Sequence, residues 1–384
     1  MKILLIQQCF EDFGGYYRSI NMARALAKKG HCVDLLISSR ETSFFVKKEN
    51  KTLNLSVFKL PRFGFLDNGR ILRGIMACFF VIFRKYNIVH IFESVQFETN
   101  IPLVLCKVLR KKVVLDIGDD WLDSPTYHGS NWAIRRYIRF CDLKLPAKFN
   151  FLTVTSEFLK NKYNSLGKKN ILKIVNGVDL SQFKSMSKEK AREALGIPSK
   201  DKIILSFGNT YEGGRAYLLL KTFEHIYNLD NSIKLYFNMD PNNYLNDSRI
   251  KEGINRNVFE NIKVTGYITK EKLAEYLGAS DVILFLTGSR DAEKACFPIR
   301  IGTYLNGERV IAIDKTDNEA YNTLARYNCV LSGEGPQAIA KKVIDFFNDE
   351  LLRHKLEENV VIAKKELSWD NLILELLEFY KQVK

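Results

Sequence analysis

Four aspartates crowd one stretch of the chain, Val114-Leu115-Asp116-Ile117-Gly118-Asp119-Asp120-Trp121 followed by Asp123. Carboxylates that close raise one another's pKa, so a cleft holding them would contain a candidate base. Helix capping is the plainer role for one or two of them, and Asp123, before Ser124-Pro125, is placed for it. Two arginines have the setting of anion binders. Arg215 follows Gly213-Gly214 just past an apolar run, and Arg300 follows Phe297-Pro298-Ile299. A guanidinium binds phosphate oxygens bidentately and keeps its charge. Pro298 suits the first turn of a helix, whose start would then face a ligand. Gly14-Gly15 lies between an apolar run and a helical pattern. Without Cβ atoms its backbone N–H groups can approach a ligand, and the helix start favours an anion. A simple tight turn would use the same pair. The histidines His31, His90, His128, His225 and His354 are not spaced as a metal pair, and no Asp-x-Asp site stands out. No metal is expected.

The elements that must position these residues are short apolar runs alternating with amphipathic stretches. Strands are expected at Lys2–Gln7, Cys32–Ser38, Leu53–Leu60, Asn87–Phe92, Lys112–Ile117 and Phe151–Thr155. A second set is expected at Lys202–Phe207, Ile233–Asn238, Ile262–Tyr267, Asp281–Leu286, Arg309–Ile313 and Cys329–Leu331. Several, such as KILLI and VILFL, are continuously apolar, as buried parallel strands are when helices cover both faces. Helices are expected at Tyr17–Lys29, closed by Gly30, and at Lys270–Leu277, Pro336–Asn348 and Trp369–Val383. The alternation occurs twice, which predicts an α/β chain of two doubly wound, Rossmann-like domains with parallel sheets. Residues 1–175 would form the first and 176–368 the second, with the closing helix 369–384 free to pack back on the first. Two such sheets would face a cleft at the carboxyl ends of their strands, where ligands bind.

The 384 residues carry 58 Lys+Arg and 44 Asp+Glu, a net +14. The excess is confined to one half: residues 1–176 carry 29 basic and 14 acidic side chains, and the rest carry 29 and 30. A solubility effect of a lysine-rich proteome should have raised both halves. The asymmetry therefore predicts an anionic partner for the first half, whether membrane surface, phosphorylated substrate or nucleic acid. Two basic-aromatic stretches stand out there. Residues 69–85, GRILRGIMACFFVIFRK, carry an apolar face flanked by arginines that can lie in a membrane interface, but a buried helix of the sheet is the favoured reading. Residues 131–139, NWAIRRYIR, are the better candidate for a membrane or polyanion. Seven scattered cysteines without a C-x-x-C pair argue for a reducing compartment and against a disulfide or zinc scaffold. The N-terminus reads as a first strand and not a signal peptide, and no apolar run approaches the ~20 residues of a membrane span. A cytoplasmic protein, peripheral on the inner membrane face, is expected.

Seven stretches, in order, resemble retaining glycosyltransferases of the two-Rossmann (GT-B) fold, the glycogen-synthase-like group. They are Gly14-Gly15 with Arg18 and the later Gly30-His31-Cys32-Val33; the Asp116–Trp121 run; Val175-Asn176-Gly177-Val178-Asp179-Leu180-Ser181-Gln182-Phe183; Ser206-Phe207-Gly208 with Gly213-Gly214-Arg215; Gly266-Tyr267 with Ala279-Ser280-Asp281; Phe297-Pro298-Ile299-Arg300 through Leu305; and Leu367-Ser368-Trp369. The resemblance covers nearly the whole chain. It implies a nucleotide-sugar donor, a glycan or lipid-linked acceptor, and no metal or other cofactor.

The resemblance also assigns roles. Gly14, Gly15, Gly208, Arg215, Gly266, Pro298, Ile299, Arg300 and Thr303 would bind the donor, with Arg215 and Arg300 on its diphosphate. Arg18, Asp116, Asp119 and Trp121 would meet the acceptor, with Asp119 orienting its hydroxyl. Arg215, Arg300 and Asp119 would be the catalytic set, because stabilising the departing diphosphate's charge is usually the largest catalytic effect. The sequence departs from the group in two places. The positions of its first-loop arginine and lysine are Asn209 and Gly214. Its Glu-x7-Glu pair is absent, with Ala295 and Thr303 at those positions and Glu293 out of register. Thr303 would hydrogen-bond a ribose hydroxyl less strongly than a carboxylate does. Two further readings keep the fold: a DNA-modifying glucosyltransferase, which +15 on one half would suit, and a non-catalytic relative, which the missing carboxylates motivate.

Overall fold

The computed structural model describes residues 1–11, 13–41, 45–48, 53–61, 69–208, 214–287 and 290–383, with residues 45–48 described by their backbone. The chain forms two compact units. One comprises Met1–Gly177, Arg290–Ile299 and Trp369–Lys384, the other Val178–Ser289 and Arg300–Ser368. The segment 290–299 thus clusters with the first unit although it lies in the second half of the chain.

The first unit carries strands β1 (Lys2–Ile6), β2 (Cys32–Ser38), β3 (Phe45–Lys48), β4 (Leu55–Leu60), β5 (Ile88–Phe92), β6 (Val113–Ile117), β7 (Phe151–Val154) and β8 (Asn170–Lys173). They form one sheet in the order β3-β4-β2-β1-β5-β6-β7-β8. Every pair is parallel except β3 against β4, an antiparallel edge that an all-parallel expectation did not include. The second unit carries β9 (Lys202–Ser206), β10 (Ile233–Phe237), β11 (Ile262–Val264), β12 (Val282–Leu284), β13 (Val310–Asp314) and β14 (Val330–Gly333). Its order is β11-β10-β9-β12-β13-β14, all parallel.

The strand order reverses between β1 and β5 in one sheet and between β9 and β12 in the other. Open α/β sheets bind ligands outside the carboxyl ends of the strands at such switch points. Continuous apolar strands explain the layering. On one face of the first sheet, Ile3, Leu5, Val33 and Leu35 meet Ile20, Ala23 and Leu26 of the Gly14–Lys28 helix. The closing helix, Trp369–Gln382, completes that layer with Trp369, Ile373, Leu376, Phe379 and Tyr380. Burying each of these side chains contributes about 1.5–3 kcal/mol. On the other face, Leu4, Ile6, Val89 and Leu115 meet Ala77 and Val81 of the Arg70–Phe83 helix and Leu103 and Cys106 of the Phe97–Val108 helix. Those two helices touch closely at Gly74, where a Cβ would lie 2.6 Å from the Phe97 carbonyl.

Candidate functional site

At the carboxyl ends of the first sheet, Arg18 and Asp116 find each other across 98 residues of sequence. The Arg18 guanidinium donates to Asp116 through Nε (2.9 Å) and Nη2 (2.7 Å), and through Nη1 to Asn176 Oδ1 (3.1 Å). Asp116 also accepts the Thr153 hydroxyl at 2.7 Å. Burial opposes ionisation of Asp116, but the Arg18 charge and His90 outweigh it and hold the carboxyl well below its usual range. Both side chains are buried. The two side chains neutralise each other and fix the strand end. Asn176 in turn donates Nδ2 to the Phe297 carbonyl at 2.5 Å, joining two of the motif stretches.

Around this pair lies a residue that sequence reasoning missed. Glu93 follows β5 directly, at the switch point, with φ +63°. Left-handed backbone at a non-glycine residue is strained and concentrates at functional sites. Glu93 is buried, and its two oxygens accept the Gly118 N–H and the Trp121 indole N–H, each at 2.7 Å. Burial and the Asp119 charge push its pKa up to about 8 against those two donors. A lone carboxylate closing a buried strand, IVHIF-Glu, was the available signal.

Asp119 reaches solvent but has protein crowded around it. That desolvation outweighs a hydrogen bond with Cys296 and the Arg18 charge, and raises its pKa. Asp119 can thus accept a hydrogen bond, or a proton, from a hydroxyl. The other aspartates are engaged elsewhere. Asp120 accepts Leu122 N–H and Lys162 Nζ. Asp123 does not cap the turn that follows it, where Ser124 accepts the Tyr127 N–H. Instead it accepts the Ala292 N–H at 2.9 Å, which lowers its pKa.

Gly14 and Gly15 form the first turn of the Gly14–Lys28 helix, which begins three residues earlier than expected. Close approach is what demands glycine there. A Cβ on Gly15 would lie 2.6 Å from Cys9 Sγ, and one on Gly14 would lie 3.3 Å from Ile299 Cδ1.

In the second unit, Arg300 stands on the Ile299–Asn306 helix, half-buried beside the carboxyl end of β9. Its Nη1 donates to the Phe207 carbonyl at 3.3 Å, and its guanidinium lies 5.5 Å from the Phe285 ring centroid. Tyr304 donates to the same carbonyl at 3.1 Å. A Cβ on Gly208 would displace the guanidinium. Among the described residues, no carboxylate pairs with Arg300. Thr303 is buried, with its hydroxyl 3.4 Å from Gln182 Oε1. Arg215 opens the Arg215–Leu229 helix behind Gly214, whose φ is +86°. Asn209 and Gly213, in the loop leading to it, lie outside the described residues. Gly266 follows β11 with φ +64°. Among the described residues, no group of three or more His, Cys, Asp or Glu is arranged to hold a metal. A shallow hollow lined by Met1, His31 and Leu377 opens at the amino end of β1, opposite the end at which such sheets bind ligands.

No protein-family model matches the sequence, and no curated protein matches it. Solved structures do. Sucrose-phosphate synthase from Thermosynechococcus elongatus superposes with a TM-score of 0.71 at 14% identity, over 99% of this chain and 98% of that one. HepE of Anabaena in complex with UDP and glucose gives 0.67 at 14% identity, over the full length of both chains. WaaG, a glycosyltransferase involved in lipopolysaccharide biosynthesis, gives 0.66 at 13%, also over both full lengths. The fold is GT-B. In this GT-B chain Gly14-Gly15 and Asp119 follow the carboxyl ends of strands in the first sheet, and Gly208, Gly266 and Arg300 lie at those of the second.

Proposed function

We propose that this chain is a retaining glycosyltransferase, moving a hexose from a nucleoside-diphosphate donor to a glycan or lipid-linked acceptor at a membrane surface. One observation carries the reading. Arg300 sits beside the β9–β12 switch point, held by a carbonyl and an aromatic face, with its charge left to a ligand. A donor's diphosphate is the ligand that such an arginine fits, and stabilising its departing charge is the main catalytic demand. Arg215, with Gly208 and Gly266, extends the donor site. Thr303 meets the ribose, and the turns at Gly14-Gly15 and Pro298-Ile299 border the donor. In the first unit, Asp119 orients the acceptor hydroxyl and Trp121 offers a ring face to a sugar. Arg18 and Asp116 act as positioning groups. Retention without a covalent intermediate needs only that the hydroxyl be held on the leaving-group side of the anomeric carbon. The full-length likeness to HepE with UDP and glucose, and to WaaG, supports a sugar nucleotide and a lipid-borne acceptor. The charge of residues 1–176 supports a protein peripheral on the inner, cytoplasmic membrane face.

Thermal denaturation with UDP, GDP, ADP, dTDP and their sugars tests the donor half. A ligand at a hundredfold excess over its Kd adds about 2.7 kcal/mol of stability. Arg300→Ala should abolish that gain while folding normally. Stabilisation that survives in the variant would refute the phosphate assignment. A second reading, with duplex DNA as acceptor, draws on the same basic half. Activity that falls steeply with salt and ignores lipid would favour it.

A further inference from the structure

The Arg70–Phe83 helix does not match the buried helix expected of it. One side packs on the sheet through Arg73, Gly74, Ala77 and Val81. The other side leaves Ile71, Leu72, Ile75, Phe79, Ile82 and Phe83 exposed, with Phe79 at 54% and Phe83 at 74%. Leu72, Ile75, Phe79 and Ile82 follow the i, i+3, i+7, i+10 spacing of one helical face. Phe79 and Phe83 stack on each other, ring centroids 5.9 Å apart. The Phe97–Val108 helix, packed alongside on the same layer, adds exposed Val104 and Val108, and Leu109 follows it.

An exposed apolar surface of this extent marks an interaction site. Its rim identifies the partner. Residues 69–87 and 97–112 contain eight basic side chains: Arg70, Arg73, Arg84, Lys85, Lys107, Arg110, Lys111 and Lys112. They contain one acidic side chain, Glu98, which is buried and paired with Arg73. Arg73 is buried in that pair and Arg84 is paired with Asp34, so the outer face offers apolar side chains bordered by Arg70, Lys85, Lys107, Arg110, Lys111 and Lys112, with no exposed carboxylate on either helix. An anionic bilayer complements that pattern, with acyl chains meeting the apolar face and headgroups meeting the rim. A symmetric pairing of two copies would set the same cations against each other. At 14 residues the helix is about 21 Å long, and no helix among the described residues is long and apolar enough to cross a membrane. We infer that the outer face of the Arg70–Phe83 and Phe97–Val108 helices docks the first unit in the plane of an anionic lipid surface. This deepens the membrane part of the proposed function and needs no sugar transfer to be true.

The test is sedimentation of the full chain with vesicles of phosphatidylcholine, with and without 30% phosphatidylglycerol, in low and high salt. Binding is expected to the anionic vesicles, weakened by salt. Phe79→Glu with Ile82→Glu should weaken it at least tenfold, leaving the melting temperature and any nucleotide-induced stabilisation unchanged. Absent binding by the unaltered chain, or full binding by the double variant, overturns the inference. So does loss of binding confined to Arg135→Glu with Arg136→Glu and Arg139→Glu. A dimer in analytical ultracentrifugation that the double variant abolishes would assign the face to self-association instead. Nucleotide stabilisation is read separately, so failure of the docking face and failure of the donor site are told apart.

Discussion

Two arginines stand beside strand ends, one in each unit, and their surroundings differ in kind. Arg18 is buried against Asp116, so its charge is cancelled where it lies. Arg300 rests on a backbone carbonyl and a phenyl ring, which fix its direction without neutralising it. The residue type is the same, yet the first is part of the scaffold and the second is open to an anion. What separates them is the partner, which neither the arginine nor its immediate neighbours in sequence reveal.

The comparison breaks most sharply at Arg18. Arg18→Ala strands Asp116 as a buried, unpaired carboxylate and should cost about 3–5 kcal/mol in chemical denaturation. A loss well under 1 kcal/mol would mean that the pair does not cancel as described. Glu93 sharpens the contrast within the first unit. Its carboxyl titrates near pH 8 in the folded chain, above the ordinary value of 4.5. Between those values the folded state holds a proton that the unfolded state has released. Its contribution is therefore full below pH 4.5 and is lost as pH rises to 8, by at most about 1.4 kcal/mol per pH unit. Glu93→Gln should flatten that slope, and denaturation midpoints from pH 5 to 9 would show it. A slope unchanged in the variant would place the titration elsewhere. The smallest effect belongs to the second unit. Gly208→Ala pushes the Arg300 guanidinium off the Phe207 carbonyl and should weaken nucleoside-diphosphate binding about tenfold, or ~1.4 kcal/mol, by calorimetry. Unaltered affinity would show that Arg300's resting place is not its working one.

Much of this architecture was legible beforehand, and the exceptions share a cause. All six strands of the second sheet were expected, along with six of the eight in the first. The two that escaped, Phe45–Lys48 and Asn170–Lys173, are the two edges of that sheet. Edge strands face solvent and carry lysine and asparagine, so they lack the unbroken apolar run of a central strand. The Arg70–Phe83 helix misled for the opposite reason. Its arginine-flanked apolar face admitted an interfacial reading, but its composition is that of a core helix, and the one-dimensional pattern does not choose between the two. In the candidate site, the glycines, Asp119 and Arg300 were visible as local motifs. Glu93 was not, because its importance comes from a positive φ and from Gly118 and Trp121, 25 and 28 residues away.

The closing helix supplies one wall of the first unit's interior, and about 190 residues, all but 290–299 of them from the other unit, separate it from Gly177. His90, in the middle of β5, meets the Tyr380 hydroxyl at 2.6 Å only once that helix arrives. At a synthesis rate of ~5–20 residues per second, the nascent first unit waits roughly 10–40 s on the ribosome with that wall missing. The second unit can be made and folded meanwhile. The order of maturation is thus reversed from the order of translation, and the part made first is the part finished last.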